Sequence, residues 1–151
     1  MGAGKTTLGS ALATQLGQCF IDLDTEIERY SGCTVPELFA HNGELGFRKI
    51  EQLVLHTVVQ RLQDPASEVK NSIIACGGGT PCFHQNLAFM KENGFVIYLE
   101  VSPEILCERL LKAPSTIRPL IPINNQLQLI TFIHRQLDKR RRYYEAAHWK
   151  C

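Results

Sequence analysis

The spacing of apolar positions changes several times along the chain, and each change predicts a new element. Leu8, Leu12 and Leu16 recur at helical spacing and Gly17 follows them, which predicts a helix over 6–16 closed by a glycine cap. Cys19 to Leu23 is a short run of strand formers that closes on Asp22 and Asp24. Thr25 to Tyr30 reads as a short helix that stops before Ser31 and Gly32. Thr34, Pro36 and Glu37 spell a capping box with proline in the first turn; the helix they open ends near Gly43. From Glu44 to Leu62 an apolar stripe of Ile50, Leu53, Val54, Val58 and Leu62 marks the clearest helix.

Asp64 to Asn71 is polar, contains Pro65 and reads as a loop. Ser72 to Cys76 is a buried strand that runs straight into Gly77, Gly78 and Gly79. His84 to Glu92 is helical with Asn93 and Gly94 as its stop, and Phe95 to Val101 is a third strand. Ser102 caps a helix that takes Pro103 at its first position and runs to about Leu111. Ala113 to Asn125 carries Pro114, Pro119 and Pro122 and is a loop; Gln126 to about Ala147 is the last helix, with Leu127, Ile130, Ile133 and Leu137 on one face. Helices alternating with short, wholly apolar strands imply an α/β protein with a parallel sheet covered on both faces. Neither a linker nor a repeat divides residues 1–151, so a single domain is expected.

Composition adds little to this and removes several alternatives. The 151 residues are 44% hydrophobic and 21% charged, enough for one soluble domain with a real core. A net charge of +1 gives no strong attraction to nucleic acid or membrane, and no apolar run approaches the roughly 20 residues of a membrane span. No basic and then apolar leader is visible at the N-terminus. The six cysteines show no C-x-x-C spacing, which argues against zinc; Cys19 and Cys76 lie in apolar runs and read as buried thiols in a reducing cytosol. His56, His84 and His134 have no partner at ligand spacing and read as structural or exposed.

Gly2, Gly4, Lys5 and Thr6 form the second half of a phosphate-binding loop, G-x-x-x-x-G-K-S/T. Glycine lets main-chain N–H groups approach anionic oxygens, lysine supplies a cation, the Thr6 hydroxyl can ligate Mg²⁺, and the following helix turns its positive end to the phosphates. Asp22 and Asp24 stand at the C-terminal end of a strand, where open parallel sheets bind ligands. On an extended segment they share a face, so one can hold Mg²⁺ through water while the other accepts a hydroxyl proton; Asp24 also suits helix capping. Gly77 to Gly79 would let a substrate reach the main chain. Arg48 is by itself an ordinary helix-face arginine, although Glu51 one turn on could orient it. Arg118 in the proline-rich loop suits a lid cation, with a plain exposed arginine the simpler account. Lys139 to Arg142 is a weak footprint for nucleic acid and fits a helix face with one arginine turned to an anionic substrate.

Taken in order, Gly2-Ala3-Gly4-Lys5-Thr6-Thr7, Asp22-x-Asp24, Phe47-Arg48 with Glu51, the glycine triplet, Arg118-Pro119-Leu120, and Lys139-Arg140 with Tyr144 resemble the shikimate kinase family over nearly the whole chain. The resemblance implies a three-layer α/β/α P-loop kinase of the nucleoside-monophosphate-kinase type, with a parallel sheet of strand order 2-3-1-4-5. It implies transfer of the ATP γ-phosphate to the 3-hydroxyl of shikimate in aromatic amino-acid (chorismate) biosynthesis, by a cytoplasmic monomer. It places Gly2, Ala3, Gly4, Lys5, Thr6, Thr7, Arg109 and Arg118 at ATP, with Arg109 near the adenine, and Thr6 and Asp22 at Mg²⁺. Asp24, Arg48, Gly77, Gly78, Gly79 and Arg140 fall at shikimate, the two arginines on its carboxylate. Lys5, Asp24 and Arg118 are then catalytic, Asp24 as base. The lid falls at about 113–125 and the shikimate-binding helices at about 25–62.

The family has a strand before the phosphate loop and a further strand and helix after the last long helix. Neither is expected here, since Met1 stands inside the loop and the chain stops at Trp149, Lys150 and Cys151. The first strand is thus expected to be missing. Two other readings stay open: a kinase for another small hydroxy acid such as gluconate, against which the two aspartates, Arg48 and the glycines argue, and a kinase-like binding domain without catalysis.

Overall fold

The computed structural model describes residues 2–69, 71–112 and 125–151. Of the lid expected at about 113–125, residues 113–124, Arg118 among them, lie outside these. The chain forms two compact units: Gly4–Asn86, and Met1–Ala3 with Leu87–Cys151.

In the unit Gly4–Asn86, helix α1 (Lys5–Leu16) springs from Gly4, whose φ of 87° is the left-handed region that favours glycine. Its predicted leucine stripe is not the packed face: Leu8 and Leu16 are exposed, and Ala13 is buried instead. The reason is proximity. A Cβ on Gly9 would lie 2.8 Å from the Phe20 ring, so the small residues Gly9 and Ala13 face the strands. Strand β1 (Cys19–Asp22) pairs in parallel with β2 (Ser72–Ala75), Cys19 opposite Ser72 and Asp22 opposite Ala75. Cys19, expected to be buried, is exposed at the first position of its strand, where little packs against it.

Helix α2 (Leu23–Ser31) begins earlier than its polar residues suggest, because Asp22 is the N-cap: its carboxylate accepts the Asp24 N–H at 3.1 Å. Asp22 rather than Asp24 is therefore the cap, and Asp24 sits in the helix's first turn, not beside Asp22 on one face of a strand. Helix α3 (Val35–Gln63) opens with the predicted capping box, Thr34 and Glu37 bonding each other's backbone N–H at 2.8 and 3.4 Å. The two helices expected on either side of Gly43 abut without a loop, since Gly43 alone (φ 64°, ψ −178°) leaves helical geometry. The buried arc runs through Phe47, Glu51, Val54, Leu55 and Val58 at three- and four-residue steps. Leu53 lies off that arc and is exposed, although the apolar stripe included it. After β2 comes a short 3₁₀ turn (Thr80–Cys82).

In the other unit, α4 (Asn86–Asn93), whose first residue belongs to the unit already described, starts after His84 and Gln85. Both of these have positive φ, 50° and 58°, which keeps His84 out of the predicted helix. Only Ile97–Tyr98 of the predicted third strand is regular, as β3. It pairs in parallel with β4 (Trp149–Lys150), a strand not expected at this end of the chain. Its two residues are too few to show alternation. They are held by Cys151 N–H to Tyr98 O at 3.0 Å, Glu100 N–H to Cys151 O at 2.7 Å, and a Tyr98–Tyr144 ring stack at 4.8 Å. Helices α5 (Pro103–Lys112) and α6 (Gln126–Tyr144) pack on each other around Leu106, Cys107, Leu110, Leu129 and Ile133. Leu129 takes the place expected of Leu127, which is exposed in the first turn. Each sheet among the described residues is a parallel pair; β1–β2 fits the parallel sheet expected, and β3–β4 adds a terminal strand that was not expected.

Candidate functional site

The first cluster joins the start of α1 to the end of β1. Thr6 Oγ1 donates to Asp22 Oδ2 at 2.9 Å, while Asp22 Oδ1 accepts the Asp24 N–H. A helix start thus carries a hydroxyl and a carboxylate side by side, both hard oxygen donors of the kind Mg²⁺ prefers. No group of three or more His, Cys, Asp or Glu side chains able to hold a metal occurs among the described residues. Lys5 opens α1, close enough for its charge to act on Asp24. Thr7 is exposed on the same turn.

In the other unit, Arg109 Nη1 donates to the carbonyls of Gly2 and Ala3 at 3.2 and 3.3 Å. Ala3 packs against the α5/α6 core, so this piece of the loop is tied down by packing and by a cation. The resemblance placed Arg109 near adenine; here its guanidinium holds loop backbone.

The second cluster in Gly4–Asn86 is built on α3. Arg48, which a helix-face reading leaves in solvent, is 6% exposed. It lies over Phe83, Phe47 and Phe39 at 4.5, 5.1 and 5.9 Å from the ring centroids. Its Nη1 donates to Glu51 Oε2 at 2.7 Å, and Nη2 to Glu44 at 3.3 Å; its Nε is buried without a partner among the described residues. Glu51 is fully buried, and its other oxygen accepts the Thr80 hydroxyl at 2.7 Å. Such a pair persists because both Glu51 oxygens and both terminal nitrogens of the guanidinium have hydrogen-bond partners.

The glycine triplet makes this packing possible. A Cβ on Gly79 would lie 2.6 Å from Arg48 Cζ and would collide with Nη2. One on Gly77 would lie 3.2 Å from both Glu51 Oε1 and Thr80 Oγ1, and 3.6 Å from Asp24 Oδ1. Gly79 has an ordinary φ of −93°, so it is the space, not the backbone conformation, that calls for glycine there. Gly77 thereby marks the point where Asp24 approaches the Glu51–Thr80 pair.

Asp24 keeps a solvent-facing side, yet its carboxyl pKa is raised from the ordinary 3.8. Desolvation is the largest cause, followed by the negative charges of Asp22 and Glu51; Lys5 opposes them. Burial also pushes the Cys76 thiol up to about 12, so it is inert as a nucleophile.

Lys5, Thr6, Asp22, Asp24, Arg48, Gly77 and Gly79 thus belong to one compact unit. Gly78 lies in the same turn. Arg140 stands on α6 in the other unit. Sequence reasoning missed Thr80 and Asn86, both fully buried: a threonine and an asparagine at a predicted turn look like ordinary loop residues. It also missed the rings around Arg48: Phe39 and Phe47 share α3 with it, and Phe83 follows the 3₁₀ turn.

A family model described as shikimate kinase matches residues 1–151. The shikimate kinase of Bacteroides thetaiotaomicron is 42% identical over 149 residues, covering 99% of this chain and 80% of that protein. A crystal structure of shikimate kinase from the same organism superposes with a TM-score of 0.88 at 41% identity, over 99% of this chain and 80% of that one. Shikimate kinase from Acinetobacter baumannii in complex with shikimate gives 0.83 at 37% identity, over 100% of this chain and 78% of that one. No helix among the described residues is long and apolar enough to cross a membrane.

Proposed function

The chain belongs to the shikimate kinase family and has its P-loop kinase fold, and on that premise we propose how its residues divide the transfer of a phosphoryl group from ATP to shikimate. The observation that carries the reading is the buried Arg48–Glu51 pair beside Asp24, with glycines leaving the approach open. A small polyol carboxylate needs a guanidinium at its acid end and a carboxylate at the hydroxyl to be phosphorylated.

Arg48 takes the substrate carboxylate with the donors its glutamates leave over. Glu51 fixes the plane of the guanidinium, and the rings hold it from the sides. Asp24 accepts a hydrogen bond from the 3-hydroxyl and takes its proton as the bond to phosphorus forms; burial and the neighbouring carboxylates raise its pKa and make it a better proton acceptor. Gly77, Gly78 and Gly79 let the sugar-like ring lie against main chain. Lys5 and the N–H groups of Gly2 to Thr7 draw charge from the β- and γ-phosphates, and Arg109 holds the loop carbonyls. Thr6 and Asp22 would hold Mg²⁺, which supplies neutralisation of phosphate charge. Arg140 is assigned to the substrate carboxylate and Arg118 to the transferring phosphate by resemblance alone.

The reading makes the enzyme a monomer, since one chain supplies every assigned group. It places the enzyme in the cytoplasm, where ATP is present and the six free thiols stay reduced. The test is a coupled ADP-release assay on shikimate, gluconate and other hydroxylated acids, with the product identified by phosphorus NMR. Turnover is expected with shikimate and a phosphate on its 3-oxygen. Turnover with another acid alone overturns the reading.

A further inference from the structure

We propose that Thr80 is a positioning residue for the acceptor substrate: its hydroxyl, by holding one oxygen of Glu51, fixes the orientation in which Glu51 presents Arg48. This rests on the reading of Arg48 as the clamp for the acceptor carboxylate.

The geometry is a relay in which each carboxylate oxygen has its own donor. Glu51 Oε2 takes Arg48 Nη1 at 2.7 Å and Glu51 Oε1 takes Thr80 Oγ1 at 2.7 Å. Glu51 and Thr80 are both fully buried, so solvent does not replace either bond. A carboxylate held at one oxygen can turn about its last bond; held at both, it defines a plane, and the planar guanidinium follows it.

Thr80 is itself held. Its N–H donates to the Gly77 carbonyl at 3.1 Å, and its carbonyl accepts from Asn86 Nδ2 at 3.0 Å. Asn86 is fully buried and opens α4. Gly77 completes the fit, because any Cβ there would press on both partners of the Thr80–Glu51 bond. The relay therefore runs from Asn86 through Thr80 and Glu51 to the guanidinium. Its far end is the only one that a substrate meets.

A threonine that merely satisfies a buried carboxylate would affect stability. A positioning threonine would affect acceptor affinity in particular. Steady-state kinetics on the full chain, with shikimate and ATP varied separately and a thermal melt for each variant, tells the two apart. Thr80→Val keeps the shape and deletes the donor. It is expected to raise the KM for shikimate by about tenfold and to leave the KM for ATP unchanged. Thr80→Ser keeps the donor and is expected to restore the parent KM.

A lowered melting temperature with an unchanged shikimate KM in Thr80→Val overturns the proposal. A Thr80→Ser variant as impaired as Thr80→Val does so too, since the hydroxyl is then not what matters. If Thr80→Val does not fold, Thr80→Ala lacks the same donor without added bulk and carries the comparison. Arg48→Lys separates the two layers of inference. If it leaves the shikimate KM unchanged, the clamp reading fails. If it raises that KM while the Thr80 variants do not, only the relay fails.

Discussion

Thr6 donates its hydroxyl hydrogen to Asp22 across 2.9 Å, tying the first turn of α1 to the last residue of β1. Both groups are solvent-accessible, so the bond itself adds little to stability, about 1 kcal/mol or less. Thr6→Val and Asp22→Asn should therefore fold with nearly the parent melting temperature. They should need more Mg²⁺ for half-maximal rate and lose about 10- to 100-fold in activity at limiting metal. Titrating rate against Mg²⁺ beside a thermal melt separates the effects; a large stability loss with an unchanged Mg²⁺ requirement would sink the metal assignment.

The Arg48–Glu51 pair makes the opposite prediction. Arg48→Ala leaves Glu51 charged and buried without its cation, which should cost about 3–5 kcal/mol. Arg48→Ala combined with Glu51→Gln should recover part of that loss, because the stranded charge is gone. Urea unfolding midpoints of the two variants check this, and equal midpoints would mean that the pair is not desolvated as the structure has it.

Asp24 links activity to stability with opposite signs. Its folded pKa lies above 3.8, so folding favours the protonated acid. That advantage is whole below 3.8 and is lost as pH rises through the raised folded value. Above that raised value the ionised carboxylate thus burdens the fold. Asp24→Asn should melt higher than the parent at pH 7, and the gap should close toward pH 3. Its turnover should fall about 10²- to 10⁴-fold. Melting curves across pH, with one rate measurement, test both halves.

Thiol reactivity should follow exposure rather than sequence context. Cys76, with its pKa near 12, should resist iodoacetamide at pH 8, while the exposed Cys19 and Cys151 react. Peptide mapping after a timed alkylation gives the order.

Much of this was legible in the residues, and the failures share a cause. The capping box of Thr34 and Glu37, the break at Gly43 and the phosphate loop were readable because each depends on neighbours within a few positions. The Leu8–Leu12–Leu16 stripe misled because a period names a face, not the face that packs; the neighbouring strands took the small residues instead. Arg48 looked solvated because the ring nearest its guanidinium, Phe83, lies 35 positions away in sequence. Thr80 carried no signal at all, since its partner lies 29 positions away. β4 was too short to have a period.

The collision that a side chain on Gly79 would make with Arg48 has a consequence for how this protein can change over generations. Every single-base change at a glycine codon that is neither silent nor a stop brings in a residue with a β-carbon. No single step away from Gly79 avoids the guanidinium. A change at 79 therefore displaces the guanidinium from Glu51, and losing the cation at 48 strands the same carboxylate. Residues 48, 51 and 79 are in effect inherited as one character, and a saturation library at position 79 should recover mainly glycine.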